Sequence, residues 1–148
     1  MGQSLNRFLQ DEAELMSVAA SLAQQWVDAG RSSLSVGLAG DLGAGKTTWV
    51  RGMLRGLGHT GRVPSPTFTL VEPYSLANLS ILHVDLYRLV DAERELDALG
   101  LRDAIGAPDT WVLIEWPERW SGFSGLADVQ VSLAIEDAGR RLLITEKS

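Results

Sequence analysis

The stretch GDLGAGKTT, Gly40 to Thr48, restricts this chain more than any other. The spacing Gly40-x-x-x-x-Gly45-Lys46-Thr47 requires a backbone that turns tightly and points successive N–H groups inward, which glycines permit at least steric cost. Such a loop needs a strand to deliver the chain and a helix to continue it, because the helix N-terminus adds partial positive charge. Both flanks are present. SLSVGLA, Ser33 to Ala39, reads as a short strand, and Trp49, Val50, Met53, Leu54 and Leu57 resume helical spacing until Gly58 stops it. The pattern is that of a phosphate-binding loop, in which Lys46 reaches the β- and γ-phosphates and the Thr47 hydroxyl joins a magnesium shell. A dinucleotide fingerprint is excluded, since Gly43-Ala44-Gly45-Lys46-Thr47-Thr48 lacks its third glycine.

The rest of the chain predicts one domain of class α/β, spanning residues 1–148. At 45% hydrophobic composition, 148 residues suffice for a single core and not for two. The chain has no cysteine, so disulfides and thiolate metal sites are excluded and a reducing, cytoplasmic setting is expected. MGQSLNRFLQDEAEL has no basic segment leading into an apolar stretch of signal-peptide length. No apolar run approaches the roughly 20 residues of a membrane span, so no membrane association is expected. A formal net charge of −6 offers no footprint for a polyanion, and direct tRNA binding is not expected.

Asp11 to Ala29 carries Leu15, Val18, Leu22 and Trp26 on one helical stripe. HTGRVPSPT contains two prolines and reads as an extended, exposed loop. Phe68 to Ser75 and Leu79 to Val84 alternate as two strands joined near Ala77-Asn78. Asp91 to Ile105 reads as helix interrupted at Gly100, and Trp111 to Ile114 as a strand buried on both faces. Val129 to Ile135 and Arg140 to Thr145 flank the turn-like EDAG, giving a C-terminal β-hairpin. The predicted sheet is therefore mixed, parallel beside the phosphate loop and antiparallel in the hairpins, in a three-layer arrangement like that of P-loop NTPases.

Nucleotide hydrolysis also needs a carboxylate near magnesium, at the C-terminal end of a strand beside the loop. Glu115 follows WVLI and Asp85 follows ILHV. Glu115 is assigned to magnesium, directly or through water, because its strand is the more apolar; Asp85 would orient the attacking water or support the metal's outer shell. The candidate catalytic set is thus Lys46, Asp85 and Glu115. His83 reads as a packed, hydrogen-bonded core residue. Trp116, next to Glu115, places an indole either at the site or over the core.

GDLGAGKTT, SPTFTLVEPY (Ser65 to Tyr74), HVDLYRL (His83 to Leu89) and EWPER (Glu115 to Arg119) together resemble the bacterial TsaE family, in order across about half the chain. Members are small ATPases required for threonylcarbamoyladenosine formation in certain tRNAs, acting with the proteins TsaD and TsaB. The resemblance implies ATP or ADP on Gly43, Ala44, Gly45, Lys46, Thr47 and Thr48, and Mg on Thr47 and Glu115. It also implies functional roles for Asp85 and Trp116, a switch-like loop containing Ser65 and Thr67, and an adenine bordered by Asp11 or Glu12 and by the Gly139-Arg140 turn. Phe68 stands where tyrosine is common in the family.

Three other functions compete. Asp97 to Gly100 and Asp103 to Gly106 both read D-x-x-G, as in a GTPase switch, yet both fall in a helical segment and no N-K-x-D guanine motif exists. A small-molecule kinase lacks its arginine-rich lid. An ATP-binding assembly subunit with negligible turnover satisfies the same residues. With the guanine motif missing, GTP is expected to compete poorly with ATP in calorimetric titration, and preferential GTP binding would contradict the assignment.

Overall fold

The computed structural model describes residues 4–67, 69–89 and 92–147. Its strands and helices are β1 (Ser4–Leu9), α1 (Glu12–Asp28), β2 (Ser33–Ala39), α2 (Lys46–Gly56), β3 (Val71–Leu76), β4 (Leu79–Asp85), α3 (Ala92–Ala98), α4 (Leu101–Ala104), β5 (Thr110–Glu115), β6 (Val129–Glu136) and β7 (Gly139–Glu146). All seven strands form one sheet, in the order β1-β7-β6-β2-β5-β4-β3. The β2–β5, β2–β6 and β4–β5 pairs are parallel; the β1–β7, β6–β7 and β3–β4 pairs are antiparallel. The expected mixed sheet and C-terminal hairpin are therefore both present.

Strand alternation sorts the core into two faces. Trp111 and Leu113 of β5 pack with Leu34, Val36 and Leu38 of β2 against α1 and α2. Val112 and Ile114 turn the other way, onto Leu96 of α3, Leu101 of α4 and the stacked pair Trp120 and Phe123. Helices thus cover both faces of the parallel centre, and β5, which lies between two parallel neighbours, is buried from Trp111 onward. No helix among the described residues is long and apolar enough to cross a membrane.

Two features differ from expectation. The predicted strand from Phe68 starts only at Val71: Leu70 N–H donates to Pro66 C=O at 2.8 Å and Leu70 takes a φ of 71°, closing a turn where extension was expected. Phe68 itself, with Met1, Gly2, Gln3, Val90, Asp91 and Ser148, lies outside the described residues. β1 was not anticipated; SLNRFL is mostly exposed and gains its extended form from the β7 ladder, from Ser4 opposite Thr145 to Leu9 opposite Arg140. The interruption expected at Gly100 is present: the helix predicted over Asp91 to Ile105 divides into α3 and α4 there, where φ is 73°.

The position of α2 is fixed by its contact with α1. A Cβ on Gly52 would lie 2.7 Å from Met16 O and 2.9 Å from Ala19 Cβ, so the two backbones approach too closely for any side chain. Gly52→Val is expected to destabilise the fold by about 1–3 kcal/mol through overpacking. An unchanged urea midpoint would contradict this packing account.

Candidate functional site

Four segments converge at the C-terminal edge of the parallel strands. β2 ends at Ala39 and runs into the glycine loop, while β4 and β5 end side by side with Asp85 and Glu115 in register. The third segment is the N-terminus of α2, and the fourth is the loop carrying Ser65 and Thr67. Together they enclose a cleft of about 290 Å³ lined by Gly43, Gly45, Lys46, Thr47, Thr48, Ser65, Thr67, Asp85, Tyr87, Glu115, Trp116 and Leu42.

The two long helices begin differently. The Asp11 side chain caps α1 by accepting from Glu14 N–H at 2.9 Å. α2 starts after Gly45, which has a φ of 113° and contributes no side-chain cap. The first-turn N–H groups of α2 therefore face the cleft without a capping oxygen from the preceding residue. Gly45 is required here by its left-handed backbone; a Cβ would in addition press on the end of the Leu15 side chain, at 2.9 Å from Cδ2.

Lys46 is 5% exposed and curls back over its own loop. Its ammonium donates to Gly40 C=O and, at 3.0 Å, to Asp41 C=O, and lies 4.2 Å from the centre of the Trp116 ring. Burial pushes its pKa below the ordinary lysine value, against the opposing pull of Glu115, Glu118, Asp85 and Asp41. An anion entering the cleft would restore the charged form that burial disfavours.

Thr47 donates its hydroxyl to Glu115 Oε2 at 2.8 Å, joining α2 to the end of β5. The same oxygen lies 2.6 Å from His83 Nε2. Asp85 is organised separately: Oδ2 accepts from Thr67 Oγ1 at 3.0 Å and Ser65 Oγ at 3.4 Å, and Oδ1 accepts from Tyr87 N–H at 2.9 Å. The Ser65 and Thr67 hydroxyls are themselves 2.8 Å apart. The proline-bounded loop is thus fastened to the strand-end acid through its hydroxyl residues.

Trp116 occupies the left-handed region at φ 60° and ψ 51°, an unfavourable conformation for a bulky residue. Its N–H donates to Leu38 C=O at 3.2 Å, and its ring packs 4.9 Å from that of Tyr87. This backbone excursion turns the indole onto Lys46 instead of continuing β5 into the core.

A second cavity of about 330 Å³ adjoins the first through Gly43, Gly45 and Thr48, and is bordered by Asp11, Glu12, Leu15, Gly139 and Arg140. Arg140 spans the gap. Its guanidinium donates to Ala44 C=O at 2.9 Å, Gly43 C=O at 3.0 Å and Gly139 C=O at 2.9 Å. The β6–β7 hairpin thereby grips the glycine loop from behind.

No cluster of three or more His, Cys, Asp or Glu side chains able to hold a metal occurs among the described residues. The oxygens of Thr47 and Glu115 nevertheless fit magnesium, which keeps most of its waters and shares its remaining positions between one or two protein oxygens and substrate phosphates. Asp97 and Asp103, the acids of the two D-x-x-G segments, do not line the cleft.

The family model for the threonylcarbamoyl adenosine biosynthesis protein TsaE matches residues 9–143. The chain belongs to the TsaE family. Among its relatives, the tRNA threonylcarbamoyladenosine biosynthesis protein TsaE of Haemophilus influenzae is 43% identical over 141 residues, 95% of this chain and 88% of that protein. The Rickettsia felis protein of the same name is 36% identical over 143 residues, covering 95% and 80% of the two chains. The crystal structure of Bacillus subtilis YdiB superposes with a TM-score of 0.76 at 26% identity, covering all of this chain and 88% of that one. TsaE membership places the protein in tRNA threonylcarbamoyladenosine biosynthesis.

All the residues assigned to the nucleotide site from sequence border one of the two cavities or, like Ala44, lie in the loop between them. His83 and Tyr87, absent from the site residues the sequence points to, both contact the cleft's acids or its indole. Their signal was available in the HVDLY run, where residues two before and two after Asp85 share its strand face or its turn. Arg140→Met removes three hydrogen bonds to the loop and hairpin. It is expected to loosen the loop by about 1.5–3 kcal/mol, read as faster amide exchange at Gly43 to Lys46 with a smaller change in global stability. Equal exchange in variant and parent would contradict the clamp.

Proposed function

We propose that this TsaE protein binds magnesium-ATP in the cleft and hydrolyses it in support of threonylcarbamoyladenosine formation on tRNA, acting on the TsaD–TsaB complex and not on tRNA itself. The observation that carries this reading is the convergence of Lys46, Thr47 and Glu115 on one small cleft at the start of α2. Lys46 supplies a cation whose acceptors are the neutral carbonyls of its own loop, so phosphate oxygens are stronger competitors for it. Thr47 and Glu115 would hold magnesium, which neutralises charge on the phosphates when bound. Asp85, set by Ser65 and Thr67, orients the attacking water or supports the metal's outer shell. Asp11 and Arg140 border the space assigned to adenine.

Coupling to a partner follows from the same contacts. The Ser65–Thr67 segment is tied to Asp85 by hydroxyl bonds that a change of nucleotide can make or break, giving the loop two arrangements with different partner affinities. With its net charge of −6 the chain suits a protein partner better than a polyanion.

No arginine is among the described residues lining the first cleft, so none of them there supplies the group that commonly stabilises charge on a transferring γ-phosphoryl. Slow turnover alone is expected, rising when the TsaD–TsaB complex is added; partner-supplied stabilisation of this kind reaches about 10³–10⁵-fold. Glu115→Ala is expected to leave ADP binding in place and lower stimulated turnover by orders of magnitude. Equal turnover with and without the complex would contradict the coupling, and unchanged turnover in the variant would move the metal role to Asp85. ATP binding with no turnover under either condition would favour an assembly subunit.

A further inference from the structure

His83 has no exposed surface and lies on β4, between β3 and β5 and two residues before Asp85. Its strand position places it diagonal to Glu115 on β5, within side-chain reach on the same face. Nε2 lies 2.6 Å from Glu115 Oε2, while Nδ1 is buried with no hydrogen-bond partner among the described residues. An imidazole kept only for packing is a poor choice here, because an apolar side chain of similar size would fill the space without orphaning a nitrogen.

The hydrogen bonds identify the donor. Glu115 Oε2 already accepts the Thr47 hydroxyl at 2.8 Å, and a carboxylate oxygen offers only acceptor sites, so the ring nitrogen beside it carries the proton. A proton on Nδ1 would instead add a buried donor with nothing to receive it. The neutral ring is therefore the Nε2–H tautomer. Both bonds end on Oε2, and among the described residues none ends on Oε1 of Glu115, which lines the cleft.

We infer that His83 is a positioning residue for Glu115: its buried Nε2–H fixes Oε2 beside the Thr47 hydroxyl and leaves Oε1 as the oxygen offered to the cleft. The role rests on the proposed magnesium-nucleotide reading. It explains why a half-apolar strand carries a fully buried imidazole beside an acid, and why the sequence spacing His83-x-Asp85 sets two acids' surroundings at once: one residue orients Glu115, the other holds the Ser65–Thr67 loop. A carboxylate in this environment without its second donor can rotate away from Thr47, and loss of such an outer partner lowers metal affinity about 10–100-fold.

The test uses the full chain, with ADP affinity measured by calorimetry across a magnesium titration in the parent, His83→Leu and His83→Gln. The magnesium concentration giving half of the affinity gain should rise about 10–100-fold in His83→Leu, with magnesium-free ADP affinity equal to the parent's. His83→Gln, whose amide can place a donor at a similar distance, should return most of the loss. Nitrogen NMR of the unsubstituted protein supplies a second readout that no variant's folding can affect, and should report the Nε2–H tautomer for His83. The Nδ1–H tautomer, or a His83→Leu magnesium midpoint equal to the parent's, would overturn the positioning role. A parent whose ADP affinity ignores magnesium would overturn the reading beneath it as well.

Discussion

The hydrogen bond from the Thr47 hydroxyl to Glu115 holds the site together, because it joins the two elements that must stay in fixed relation, the start of α2 and the end of β5. Neither end is free to choose its position. α2 is pressed against α1 through Gly52, where no Cβ fits, and β5 is enclosed between β2 and β4 by parallel ladders. The bond is therefore the meeting point of two rigid bodies, which is how a short polar contact can hold its geometry at the edge of a cleft.

Around that contact the site is arranged to be under-neutralised. Lys46 is buried enough for its charged form to be disfavoured, yet four acids draw it the other way, and its hydrogen bonds go to carbonyls of its own loop and its face to an indole. The strained backbone of Trp116 maintains that arrangement, and Arg140 holds the carbonyls behind it. The loop is thus braced from outside while its cation is held by weak neutral partners, a combination that favours exchange of those partners for an anion over movement of the loop itself.

Much of this was legible in the sequence because it depended on short-range patterns. The strand–loop–helix unit around Gly45-Lys46-Thr47 follows from glycine placement and from the change in apolar period on its two sides, and Glu115 and Asp85 stand out as acids ending apolar strands. What escaped was decided by partners distant in sequence. β1 has little apolar alternation and is extended because β7, at the far end of the chain, offers it a ladder from Ser4 opposite Thr145 to Leu9 opposite Arg140. The turn at Leu70 is the local exception, closed by the carbonyl of Pro66 four residues back, which overrides the strand propensity of its neighbours. His83 reads in sequence as a packed, hydrogen-bonded core residue and is buried and bonded, but that its partner is Glu115 depends on a β4–β5 register that no local pattern states.

The central claim is that Lys46, Thr47 and Glu115 form one magnesium-nucleotide site, and a crystal structure of the protein with magnesium and a non-hydrolysable ATP analogue tests it most directly. The account predicts phosphate groups inside the Gly43–Thr47 turn, Lys46 moved from the Gly40 and Asp41 carbonyls onto phosphate oxygen, and magnesium beside Thr47 and Glu115. A nucleotide bound elsewhere, or bound in the cleft with Lys46 still on its own loop and the Thr47–Glu115 pair undisturbed by metal, would contradict it.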